Sequence, residues 1–64
     1  MNAKYMYIMD YSSGLIYEVT LTPENILKKE NEGDASLLYD FGFNDSECSW
    51  MFTSIKIDNI IKLK

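Results

Sequence analysis

Histidine and arginine are both absent from this chain, and Cys48 is its only cysteine. Each absence excludes some chemistry. Without histidine there is no imidazole for general acid–base work, and no Ser-His or Cys-His pair can form within one chain. The commonest metal ligand is missing too. Without arginine the chain lacks the side chain that grips phosphate through two parallel hydrogen bonds. A single cysteine makes no internal disulfide, so the fold rests on packing alone or on packing plus a partner subunit. A homodimer is one expected outcome. The lone thiol also fits a reducing compartment, so a cytoplasmic location is expected. No stretch approaches the roughly 18 apolar residues of a membrane span. The N-terminal apolar run ends at Asp10, too soon for a secretory signal.

What is present suits one small folded unit. Sixty-four residues make a single domain, residues 1–64, and 47% of them are hydrophobic, enough to argue against disorder. Ten carboxylates face six lysines, for a net charge of −4. The charges are unevenly spread. Nine of the acids lie between Asp10 and Glu47, where the only cations are Lys28 and Lys29. Lys56, Lys62 and Lys64 then make the tail mildly basic, against Asp58 alone.

Residues 4–10 read as a strand. Tyr5, Tyr7 and Met9 alternate with Met6 and Ile8, so both faces are largely apolar and a central place in a sheet is expected. Asp10 to Gly14 is turn chemistry. Residues 15–22 alternate cleanly: Leu15, Tyr17, Val19 and Leu21 on one side, Ile16, Glu18, Thr20 and Thr22 on the other. That is a half-buried strand, antiparallel to the first. Thr22-Pro23-Glu24 opens a helix. Gly33 breaks or bends it, with two segments the preferred reading, and Asp34 caps the second segment. Leu37, Leu38 and Phe41 share a face there. Gly42 reads as the left-handed closing residue, with Phe43 returning to touch Leu38. Cys48, Trp50 and Phe52 alternate with Ser49, Met51 and Thr53 in a third strand. A further strand is expected around Ile60 to Leu63. The fold class is α+β: a small, mostly antiparallel sheet of three or four strands in the order β-β-α-β-(β), with helix, one kinked or two short, on one face. The expected core is Met6, Ile8, Val19, Leu21, Leu27, Leu38, Phe41, Trp50 and Phe52. A one-residue slip in the first strand would exchange Met6 and Ile8 for Tyr5 and Tyr7.

No motif supplies a catalytic residue, a cofactor site or a metal site, and none is assigned. Cys48 reads as a buried structural thiol, because no lysine is near it in sequence to stabilise a thiolate. Asp40-Phe41-Gly42 spells the kinase metal-binding triplet, but the helix ending explains it without the rest of a kinase. Asn44-Asp45-Ser46 matches a glycosylation sequon, which a cytoplasmic chain would not use. The acids near Asp40 do not follow calcium-loop spacing.

Two surfaces are candidates for binding. Tyr5, Tyr7 and Tyr11 share one parity, and a tyrosine-bearing sheet face can hold a protein partner. Stacking of nucleic-acid bases is disfavoured by the negative charge, and no direct nucleic-acid binding is expected. Glu30, Glu32, Asp34, Asp40, Asp45 and Glu47 form a candidate acidic face. It serves solubility, or it mimics nucleic acid for a basic groove of the kind that inhibitors from phages and mobile elements occupy. The leading expectation is a non-enzymatic protein–protein interaction module, its partner an unidentified protein or a second copy. The alternative is the acidic inhibitor. A small enzyme or ligand binder would require a concave site with a carboxylate of raised pKa.

Overall fold

A computed structural model describes residues 3–63; Lys64 of the basic tail lies outside them. The elements are β1 (Tyr5–Asp10), β2 (Leu15–Thr20), α1 (Pro23–Glu32), α2 (Asp34–Asp40), a short 3-10 turn (Asp45–Glu47) and β3 (Cys48–Thr53). The class is α+β. The sheet is antiparallel with strand order β2-β1-β3, so β1 is central. Its apolar character on both faces accords with that place.

The hairpin forms around Asp10. One carboxylate oxygen accepts from the Ser12 N–H at 3.0 Å and the Ser12 hydroxyl at 2.8 Å; the other accepts from the Ser13 hydroxyl at 2.9 Å. Gly14 takes a left-handed φ of 71° and its N–H donates to the Asp10 carbonyl, closing the loop.

Thr22 and Asn25 cap α1 reciprocally. The Thr22 hydroxyl accepts from the Asn25 N–H at 3.1 Å, and the Asn25 side chain accepts from the Thr22 N–H at 3.0 Å. Gly33 separates the helices into two segments, as its position suggests. At the far end of α2, Gly42 has φ 89°. Its N–H donates to the Tyr39 carbonyl and the Phe43 N–H to the Leu38 carbonyl, the paired bonds of a Schellman ending.

The register puts Met6 opposite Val19 and Phe52, and Ile8 opposite Tyr17 and Trp50. These residues face the helices. Met6, Ile8, Leu37 and Leu38 are fully buried, with Cys48 beside them, and Val19, Leu21, Phe41, Phe43, Trp50 and Phe52 pack around the cluster. The Trp50 indole N–H donates to Asp34 at 3.2 Å and ties β3 to the start of α2.

Two expectations need correction. Leu27 is not core: it is 59% exposed, and α1 has no buried residue. Ile26 and Leu27 point about 100° apart, and α1 docks with Ile26 half-buried and Leu27 turned to solvent. Lys29 covers the sheet instead, its ammonium 4.7 Å from the centre of the Phe52 ring. The strand expected over Ile60 to Leu63 is also missing, because residues 56–63 have no regular structure. Both sheet edges remain unpaired among the described residues.

Candidate interaction surface

The sheet face turned away from the helices carries Tyr5, Tyr7 and Met9 on β1, Ile16, Glu18 and Thr20 on β2, and Ser49, Met51 and Thr53 on β3. Residues 55–57 cross part of it. The Tyr7 hydroxyl donates to Glu18 at 2.8 Å and accepts from the Ile57 N–H at 2.8 Å. Lys56 lies 3.7 Å from the other Glu18 oxygen. The tail is thus latched over β1 and β2. Burial raises the Tyr7 pKa, with Glu18 adding to the rise against the lowering effect of the Ile57 bond, so the phenol stays a donor at neutral pH.

The three tyrosines therefore differ. Tyr7 is 5% exposed and sits beneath the tail. Tyr5 is half-buried, its ring centre 6.5 Å from that of Tyr7. Tyr11 is exposed, with its hydroxyl bonded to that of Ser49. The open part of this face is formed by residues the parity argument left aside. Met9 stands directly opposite Ile16, and Met51 lies diagonal to Met9 beside Tyr7. All three are exposed, as are Ile55, Ile60, Ile61 and Leu63 of the tail. Their signal in the sequence was present in the alternation of β2 and β3, on the side opposite the core residues.

The six acids run from α1 through α2 to the 3-10 turn, with lysines among them. Asp40 pairs with Lys28 at 2.6 Å and Asp34 with Lys29 at 3.8 Å. The Asp40 hydrogen bond comes first in raising the Lys28 pKa. Glu32 accepts from the Ser36 hydroxyl and Asp45 from the Tyr39 hydroxyl, a bond that holds the Tyr39 proton in place and raises its pKa. Glu30 and Glu47 are exposed, on α1 and in the 3-10 turn.

One cleft of about 430 Å3 opens between the hairpin turn and the end of α2, lined in part by Asp10, Tyr17, Phe41, Phe43, Glu47 and Cys48. The Ser12 and then the Ser13 hydroxyl bonds hold Asp10 below the usual carboxylate range. Burial, with Asp10, Asp45 and Glu47 nearby, pushes the Cys48 thiol up, and its Sγ donates to the Asn44 carbonyl at 3.3 Å. Among the described residues, no group of three or more Cys, Asp or Glu is placed to hold a metal ion. No described helix is long and apolar enough to cross a membrane.

No family model, curated protein or solved structure matches the chain significantly.

Proposed function

We propose that this protein is a non-enzymatic protein–protein interaction module. The observation that carries the reading is the exposed apolar group Met9, Ile16 and Met51 on the sheet face opposite the helices. An antiparallel sheet of this kind normally turns polar residues to water on its outer face. Here methionine and isoleucine stand there instead, and methionine is a side chain that adapts to a partner's surface. The cleft supports the same reading from the other direction. Burial favours the protonated Cys48 thiol and the serine bonds favour the ionised Asp10 carboxylate, so neither of these two groups is poised as a nucleophile or a proton donor. Two of the six acids are engaged with Lys28 and Lys29, which favours solubility over mimicry for the acidic face.

The test is retention of proteins from the source cell by immobilised chain, compared with a Met9→Glu/Met51→Glu variant shown to be folded by circular dichroism. A protein bound by the parent and lost from the variant supports the reading. Equal retention by both overturns it.

A further inference from the structure

We propose that the chain self-associates by reciprocal strand exchange: residues 58–63 of each copy add as a fourth strand to the open β2 edge of the other. This rests on the interaction-module reading and names its partner as a second copy.

The molecule is larger than a compact chain of its mass should be. Its accessible surface is 4845 Å2, against about 4,250 Å2 for a compact monomer of this mass. Its radius of gyration is 12.2 Å, against about 10.7 Å for this length. The tail is the most exposed apolar stretch among the described residues. Ile60, Ile61 and Leu63 are 75%, 85% and 95% exposed.

The β2 edge suits that tail. The Leu21 N–H donates to the Lys4 carbonyl, and the Tyr11 N–H to the Glu47 carbonyl. This phase makes the even residues of β1 bond to β2 and the odd ones to β3. Ile16, Glu18 and Thr20 therefore turn their N–H and C=O groups outward, free to pair. The edge is apolar on both sides, with Leu15 and Tyr17 exposed on the helix face and Ile16 on the open face. An incoming strand with Ile61 and Leu63 on one side and Ile60 on the other would find apolar neighbours on both. The tail is already led towards this edge by the Lys56–Glu18 pair.

Charge selects a second copy as the occupant. Residues 3–55 carry nine carboxylates and three lysines, net −6, while residues 56–64 carry three lysines and Asp58, net +2. Each tail is thus complementary to the body of its own kind. Exchange also covers an edge that would otherwise recruit strands indiscriminately.

Sedimentation equilibrium tests the proposal on three chains: full length, a truncation after Ile57 that keeps the Tyr7 latch, and Ile61→Asp. The last changes an exposed side chain and leaves the monomer fold intact. The full chain should be dimeric, with dissociation about a hundredfold easier after truncation and tenfold or more easier for Ile61→Asp. In a mixed sample, a spin label on Leu63→Cys of one copy should broaden the Ile16, Glu18 and Thr20 amides of an isotope-labelled copy. A monomeric full chain, or a dimer that survives truncation, overturns the exchange. A monomer that still retains another protein through Met9 and Met51 would overturn the exchange and leave the interaction-module reading standing.

Discussion

The backbone N–H of Ile57 donates to the hydroxyl of Tyr7 at 2.8 Å, joining residues fifty positions apart. A strand residue thereby fixes where the C-terminal segment leaves the sheet. The same hydroxyl donates to Glu18, so one phenol joins β1, β2 and the tail.

Tyr7→Phe removes this latch while keeping the ring. The Ile57 amide should exchange with solvent roughly five- to tenfold faster, as expected for loss of one net hydrogen bond. Hydrogen-exchange measurement by NMR checks it. The amides of Met6 and Ile8 should change much less, because their packing against Leu37 and Leu38 does not involve the hydroxyl.

Leu38→Ala and Leu27→Ala separate the two helices by their burial. Leu38 is fully buried and its truncation should cost about 2–5 kcal/mol. Leu27 is exposed, and its truncation should fall within about 0.5 kcal/mol of the parent. Urea unfolding followed by Trp50 fluorescence distinguishes them.

Gly42→Ala should destabilise by about 1–2 kcal/mol, through backbone conformation alone. A Cβ at this position would meet nothing within 4 Å, yet φ is 89°. Thermal unfolding of the variant measures the cost. An unchanged midpoint would mean that the Schellman ending is not required.

Asp10 predicts a dependence on acid. Its folded pKa lies below the ordinary value of about 3.9. The stability it contributes is therefore fully present above about pH 4 and lost as pH falls through the lower, folded value. The midpoint difference between parent and Asp10→Asn should be constant from neutral pH down to about 4, then shrink. Tyr7 works at the other end. Its raised pKa makes its contribution complete below about pH 10, and lost as pH rises through the folded value.

Cys48 should resist alkylation in the folded state. Burial raises its pKa and its side chain is 5% exposed. Its rate at neutral pH should be at least about tenfold below that of the urea-unfolded chain.

Much of this fold was written locally. The alternation of β2, the turn from Asp10 to Gly14, the Thr22 cap, the break at Gly33 and the Gly42 ending all depend on neighbours within a few residues. Their physics is complete in a short stretch of chain, so sequence determined them. The absence of histidine, arginine and a second cysteine is likewise read directly from the sequence. Other features required the tertiary structure. β1 is apolar on both faces, so only packing could assign Met6 and Ile8 to the helices and Tyr7 to the tail. α1 offers two adjacent apolar residues, and only the docked helix shows Leu27 outside and Lys29 over Phe52. The tail looks like a strand by composition, but a strand exists only when another pairs with it. Within one copy residues 58–63 pair with no strand, and both sheet edges stay unpaired among the described residues.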